Sequence, residues 1–184
     1  MDNIDMIEDI VRKANLKMHA KVLEIPVVSG FEVIKIDNPQ TIFFAVDGRG
    51  FTQQMTSDGT LALGETLESR AALVIKNVVD FMKENGDEEA DKHFFHIKDY
   101  ENGVFKFKIY IQDIAMQGQA IRMITAFFRE PRFNDFYQMS ISVGPFDCPV
   151  KSYSMGKFDE EKEPISKLLL DMMMSVLSEL KYKD

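Results

Sequence analysis

The chain has 184 residues and a formal net charge of −8 at pH 7, and 45% of its residues are hydrophobic. This length suits one domain with a substantial core, and the negative charge disfavours non-specific attraction to nucleic acid or anionic lipid. Cys148 is the single cysteine, which excludes an intrachain disulfide and fits a reducing compartment. The acidic N-terminus and the lack of an apolar run near the ~20 residues that cross a bilayer predict neither a signal peptide nor a membrane span. We therefore expect a cytoplasmic protein that binds neither nucleic acid nor membrane.

The first segment, residues 3–18, has the apolar spacing of a helix. Its apolar residues recur every three or four positions, which places them on one narrow stripe. The members of this stripe are Ile4, Ile7, Val11, Ala14 and Met18. An amphipathic helix needs an apolar surface to cover, so we expect the stripe to face the sheet that the later strands form.

Three short strands are predicted next, at residues 31–36, 41–46 and 51–55, because these segments are rich in β-branched and aromatic residues. The turn Asp47-Gly48-Arg49-Gly50 precedes the third strand, and a loop containing Ser57-Asp58-Gly59 follows it. The glycine-rich turn lacks the Gly-Lys-Ser/Thr ending of a phosphate-binding loop. We therefore interpret it as a hairpin turn.

A second helix is predicted over residues 66–84. It ends at Asn85-Gly86, where glycine can adopt the left-handed conformation that terminates helices. Its apolar face consists of Leu67, Ala71, Val74, Val78 and Phe81.

Four alternating segments within Lys92–Gly144 predict an antiparallel meander, with strands at 93–98, 104–112, 119–128 and 134–143. The length of the first loop decides which side chains share a face. A two-residue loop would place His96 and Lys98 among apolar residues. We prefer a three-residue loop, Glu101-Asn102-Gly103, which aligns Phe95 and Ile97 with Phe107 and Ile109. This register gathers Lys98, Lys106 and Lys108 on the opposite face.

A last helix is predicted over residues 163–181. Its apolar positions sweep about 240°, far more than the ~100° that packing on one side requires. Either this helix is sandwiched inside the fold, or its outer side meets a partner.

No catalytic or metal-binding pattern stands out in the sequence. His93 and His96 are separated by an odd offset, so on a strand they point to opposite faces. Cys148 has no family signature of a nucleophile around it, and no Gly-x-Ser-x-Gly elbow is present. We predict no cofactor and no metal site, and a non-enzymatic function is favoured over an enzymatic one.

Two candidate binding surfaces remain. The first is the lysine face of the meander, formed by Lys98, Lys106, Lys108 and Arg122. This face would either bind an anionic or acidic partner or be an ordinary solvated sheet face. The second is the soft, methionine-rich side of the last helix, which suits varied partners but equally suits core packing; its residues are Met173, Met174 and Leu177.

The order helix, three strands, helix, strands, helix resembles the topology of type III secretion chaperones, and the meander after the second helix resembles the Mog1/PsbP-like fold. The first resemblance implies a dimeric protein that binds other proteins. We predict a single α+β domain whose antiparallel sheet is covered mainly on one face by three helices. We predict that it functions as a protein-binding or chaperone-like interaction module. It would bind a protein partner or form a homodimer.

Two alternatives stay open at this stage. One is an acidic inhibitor of the immunity-protein type. The other is a small-molecule-binding protein or small enzyme with a pocket at the polar sheet face, lined by Lys106, Lys108, Tyr110, Gln138 and Ser140.

Overall fold

Three α-helices, one 3₁₀ turn and nine strands make up the part of the chain that the computed structural model describes, residues 3–116, 119–147 and 164–184. In chain order they are α1 (Asn3–Ala20), β1 (Leu23–Glu24), β2 (Glu32–Val33), β3 (Thr41–Val46), β4 (Phe51–Thr60), α2 (Leu67–Glu84), the 3₁₀ turn (Ala90–His93), β5 (Phe94–Glu101), β6 (Lys106–Met116), β7 (Gln119–Glu130), β8 (Asp135–Asp147), α3 (Pro164–Glu179) and β9 (Lys181–Tyr182). None of the helices in these ranges is both long enough and apolar enough to cross a membrane.

Seven of the described strands form one antiparallel sheet, in the order β2-β3-β4-β8-β7-β6-β5. The meander strands β5 to β8 are consecutive neighbours. β4 pairs with the free side of β8, from Phe51 opposite Val143 to Thr60 opposite Asp135. The predicted α+β fold, with one antiparallel sheet and three helices, is confirmed within the described ranges.

The two faces of this sheet carry different cores. Phe127 and Phe128 are adjacent in β7, so their side chains point to opposite faces. Phe128 belongs to the larger core, which α3 covers and the end of α1 joins. Phe127 belongs to the smaller core, which lies under α2. Most of the helical cover is therefore on one face, as predicted, while α2 lies on the other.

The pairing of β5 with β6 differs from the prediction. Glu101 lies opposite Lys106, so the loop has four residues rather than three, and a bulge between His96 and Lys98 shifts the rest of the strand. The predicted pairing of Phe95 and Ile97 with Phe107 and Ile109 is therefore wrong. The observed apolar pairs are Phe95 with Ile111 and Tyr100 with Phe107.

Asn102 accounts for the longer loop. Its side-chain oxygen accepts hydrogen bonds from the backbone N–H groups of Val104 and Phe105, both at 2.9 Å. Its amide nitrogen donates to the carbonyl oxygens of Leu177 at 2.7 Å and Leu180 at 2.8 Å. The end of α3 thus fixes the conformation of a hairpin that is distant in sequence.

β4 also extends further than expected, to Thr60 instead of residue 55. Its pairing with β8 is irregular between Ser57 and Gly59, and Gly59 has a φ of +104°, which glycine tolerates best. The turn-like triplet Ser57-Asp58-Gly59 therefore forms a bulge within a strand, and the predicted loop is wrong.

α1 is helical as predicted, but its apolar stripe does not face the sheet. The large members of the stripe are exposed, whereas Leu16 and Ala20 are 4% and 3% exposed. The end of the helix is held by His19, whose Nδ1 lies 2.7 Å from an oxygen of buried Asp135 and whose ring stacks on Phe133. The expectation that the stripe covers the sheet is therefore wrong, because a different side of the helix is anchored.

The first turn of α2 is stabilised by a network of local hydrogen bonds. Thr66 and Ser69 form a capping box, in which each side chain binds the backbone of the other residue. Glu65 pairs with Arg70 and accepts a hydrogen bond from the backbone N–H of Ala62 at 2.8 Å. These two hydrogen bonds, chiefly the one from Arg70, lower the pKa of Glu65 from 4.5 to about 2.

Glu65→Gln is therefore expected to lower the melting temperature at neutral pH but not near pH 2. Because the pKa of Glu65 is lower in the folded state than in the unfolded state, its contribution is complete above pH 4.5 and is lost as the pH falls towards 2. Thermal unfolding of both proteins between pH 7 and pH 2 checks this, with the exposed Glu84→Gln as the matched control. A Glu65→Gln deficit of constant size across this range would contradict it.

Candidate functional site

A groove lies between the end of α1, the strand β1 and the outer strands β2 and β3. Its volume is about 560 Å³. Apart from Thr41, its lining side chains are apolar or lysines, and the described residues around it include no Asp or Glu. We call it the basic groove and define it by Lys17, Lys21, Lys35, Lys183, Ile25, Ile34 and Ile42.

The four lysines of the basic groove come from separate parts of the chain. Lys17 lies in the last turn of α1, Lys21 follows that helix, and Lys35 follows β2. Lys183 follows β9, which pairs with β1, and its backbone N–H donates to the carbonyl of Val22 at 2.8 Å. Tertiary pairing therefore assembles the lysines, which is why sequence reasoning missed them.

The lysines of the basic groove form no ion pair with any carboxylate that the structure describes. Within the described ranges none of the four forms an ion pair, whereas the nearby Lys181 lies 3.6 Å from Glu24. Four unpaired positive charges around an apolar floor give a local positive potential in a chain whose net charge is −8. The groove is therefore suited to a ligand that combines acidic and apolar groups.

The groove also runs along an open strand edge. β2 pairs only with Val46 and Ala45 of β3, and Ile34 adds one hydrogen bond to the carbonyl of Phe44 at 2.9 Å. Among the described residues, no strand pairs with the outer edge of β3 before Phe44. Such an edge presents backbone donors and acceptors to which an extended segment can add as a strand.

The predicted lysine face of the meander is largely offset by carboxylates. Lys108 Nζ lies 3.2 Å from Asp99 and 3.6 Å from Glu68 of α2. Burial lowers the pKa of Lys108, but the hydrogen bond and charge of Asp99 outweigh it, so the pKa is raised. Lys106 lies opposite Glu101. These lysines line a second groove, of about 380 Å³, whose charge is mixed.

Arg122 is not part of that lysine face. Its guanidinium forms two hydrogen bonds with Asp113, at 3.0 Å and 3.3 Å, and donates to Ser166 of α3 at 2.9 Å. All three residues are buried on the side of the sheet that α3 covers. Lys98 is exposed beside the bulge of β5. The structure therefore does not bring the four predicted residues together.

The candidates on α3 are mainly core residues. Met173 and Leu177 are fully buried in the larger core, and Met174 is half-buried. The outer side of this helix instead exposes Ile165 and Leu168, at 41% and 42%. The side chains of Met173 and Leu177 are thus not accessible to a partner.

Polar side chains on the face opposite α3 bind one another. Thr52 and Ser142 hydroxyl oxygens are 2.6 Å apart, and those of Thr125 and Ser140 are 3.0 Å apart. Gln112 donates to the hydroxyl of Thr125 at 2.9 Å. These uncharged groups satisfy each other, and Tyr110 packs against the smaller core under α2. The arrangement supplies no acid, base or nucleophile activated by a neighbour.

Each of the other two histidines lies beside a single carboxylate. Buried His93 has its Nδ1 2.9 Å from Asp87, in a geometry that does not form a hydrogen bond, while exposed His96 bonds to Asp99 at 2.9 Å. Across the described ranges, no group of three or more His, Cys, Asp or Glu residues is placed to hold a metal ion. Cys148 lies outside the described residues.

No protein-family model matches the sequence, and no curated protein matches it. Solved structures that share the fold include two of Mog1 proteins. The E65A mutant of protein Mog1 is 12% identical, with 89% of this chain and 92% of that chain covered and a TM-score of 0.53. The Ran-binding protein Mog1p from Saccharomyces cerevisiae is 12% identical, with 87% and 89% covered and a TM-score of 0.52. The chain thus has a Mog1-like fold, and its resemblance to type III secretion chaperones stays a prediction.

Proposed function

We propose that this chain is a protein-binding module whose basic groove captures an extended, acidic and partly apolar segment of a partner protein. The observation that carries the proposal is a set of four lysines around the apolar floor of the groove, none of which forms an ion pair with a described residue, in an otherwise acidic chain. One structure that shares the fold is by name a Ran-binding protein. That name supports protein binding as the general class of function, but it does not indicate which partner this chain binds.

The groove offers both affinity and selectivity for such a segment. Backbone hydrogen bonds to the open edge of β3 would supply affinity that does not depend on sequence. Alternate side chains of the added strand would point into the groove, where Ile25, Ile34 and Ile42 accept apolar groups. Lys21 and Lys35 are exposed at the rim and would attract carboxylates.

Charge reversal at the rim tests this function. A synthetic ten-residue peptide that alternates Glu with Val or Ile is titrated into the protein and followed by fluorescence anisotropy. We expect Lys21→Glu/Lys35→Glu to weaken binding about tenfold or more, since each exposed ion pair contributes up to about 1 kcal/mol and reversal adds repulsion. The same peptide with Lys in place of Glu should bind the unmodified protein much more weakly.

The matched control is Lys98→Glu/Lys106→Glu, which changes the net charge equally at the lysine face of the meander. It should leave peptide binding nearly unchanged. Equal losses in the two double variants, or equal binding of the acidic and basic peptides, would refute the groove as the site. Decanoate, a small acidic amphiphile, serves as the competing ligand. Tighter binding of decanoate than of the peptide would assign the groove to a small molecule instead.

A further inference from the structure

Two buried acidic residues lie directly opposite each other where β7 is joined to β8. Glu130 ends β7, Asp135 begins β8, and the two are paired in the register of the sheet. Both are fully buried. Acidic residues at directly opposite positions ordinarily destabilise a sheet, and a buried carboxyl group is costly unless it is hydrogen-bonded. Such a departure from the usual rules is expected where it positions a functional part of the molecule.

Asp135 holds the end of α1. One of its carboxyl oxygens lies 2.7 Å from Nδ1 of His19, and the other accepts a hydrogen bond from the hydroxyl of Thr60 at 2.7 Å. His19 stands in the chain between Lys17 and Lys21, which line the basic groove and form what we call its α1 wall. The contact of His19 with Asp135 therefore sets where this wall stands.

Glu130 holds the ribbon of β1 and β9 in a similar way. Its carboxyl group accepts hydrogen bonds from the backbone N–H groups of Arg132 at 2.9 Å and Phe133 at 2.8 Å, and from the hydroxyl of Tyr182. Burial, together with the bond to Glu130, raises the pKa of Tyr182 to about 12. Tyr182 directly precedes Lys183, which lines the groove from the ribbon and forms what we call its ribbon wall.

We infer that Glu130 and Asp135 are positioning residues of the basic groove, which set its two lysine-bearing walls at a fixed separation. The inference rests on the proposed function, because it concerns the same groove. Loss of the bond to His19 or to Tyr182 would let one wall move while the strands of the sheet stay paired. The apolar floor would not move with it, since β3 contributes Ile42 to that floor. Recognition of acidic groups therefore depends on the two anchors more than apolar binding does.

Tyr182→Phe tests the ribbon wall. It deletes the hydroxyl that binds Glu130 and keeps the ring, over which the guanidinium of Arg132 lies 3.5 Å from the ring centre. Fluorescence anisotropy is measured with the acidic peptide described above and with the same peptide carrying Gln in place of Glu. We expect binding of the acidic peptide to weaken at least about threefold, and binding of the Gln peptide to stay the same.

His19→Phe tests the α1 wall. It removes the nitrogen that contacts Asp135 and keeps an aromatic ring beside Phe133, on which the ring of His19 stacks. We expect the same selective loss for the acidic peptide, and a recovery of most of it in His19→Asn, whose amide nitrogen can take the place of Nδ1. His96→Phe is the matched control, because His96 also binds an aspartate but is exposed and distant from the groove. It should leave both peptides unaffected.

Amide hydrogen exchange examines the ribbon wall without any peptide. The N–H of Lys183 donates to the carbonyl of Val22 across the ribbon at 2.8 Å. Tyr182→Phe should raise the exchange rate of this N–H at least about tenfold and leave that of Ile111, within β6, unchanged.

Unchanged exchange at Lys183, or equal losses for the acidic and Gln peptides, would overturn the inference. Failure of the unmodified protein to bind the acidic peptide would instead refute the proposed function, and the exchange rates would still decide whether Glu130 holds the ribbon.

Discussion

Arg122→Met is expected to lower the free energy of unfolding by about 3–5 kcal/mol, the range for removing one partner of a buried ion pair. Asp113 is fully buried, and Arg122 gives it two hydrogen bonds while also bonding to Ser166 of α3. Without the guanidinium, the carboxylate of Asp113 would lose two hydrogen bonds in a site shielded from water. Urea denaturation at fixed protein concentration measures the loss.

Two further variants make this result specific. Arg129→Met, also on β7 but exposed, should change stability by no more than about 0.5 kcal/mol. The double variant Arg122→Met/Asp113→Leu should regain much of the stability, because apolar residues of similar size often replace a buried pair at little cost. A loss below about 1 kcal/mol for Arg122→Met alone would show that the pair is hydrated rather than buried.

Leu177→Ala is expected to destabilise the protein by about 3 kcal/mol, within the range for truncating a buried leucine. Leu177 is fully buried in the larger core, between α3 and the sheet. The sequence indicated that Leu177 could instead contact a partner protein. A stability measurement distinguishes a core residue from a surface contact, because truncating a surface side chain would leave the stability of the isolated protein almost unchanged. Urea denaturation again supplies the measurement.

Met174→Ala is the internal reference for that experiment. The side chain of Met174 is half-buried on the same helix, so its truncation should cost roughly a third as much or less. If the two variants lost equal stability, the packing of α3 described above would be incorrect.

The meander could be predicted from the sequence because its signals are local. Alternation along β8 places Tyr137, Met139, Ile141 and Val143 on one face, and these residues are buried in the larger core. Turn residues separate each strand from the next. Short-range patterns of this kind survive folding because each strand pairs with its neighbour in the chain.

The orientation of α1 could not be predicted in the same way. Apolar residues at three- and four-residue spacing predict a helix with one apolar side, but they do not say whether that side faces the core or solvent. The deciding contact is between His19 and Asp135, which join α1 to the start of β8. No periodicity within the helix reports a contact so distant in sequence.

The bulges and the basic groove were missed for a related reason. The four-residue loop after β5 depends on how Asn102 binds the end of α3, and the bulge in β4 depends on its pairing with β8. The groove needs two pairings, β1 with β9 and β2 with β3, before its lysines meet. The one usable signal in the sequence was a resemblance between two basic segments. Lys181-Tyr182-Lys183 is basic, and so is the segment that contains Lys17 and Lys21.

The pairing of β1 with β9 has a kinetic consequence. The entropy lost when a loop closes grows with the length of the loop. Closing the four-residue loop of the β5–β6 hairpin therefore costs about 1 kcal/mol, whereas bringing Leu23 to Tyr182 costs about 4–5 kcal/mol. The hairpins of the meander can therefore form early, and the ribbon of β1 and β9 closes late. Because that ribbon carries Lys183 to the rim, we expect the basic groove to be completed after the hairpins of the meander.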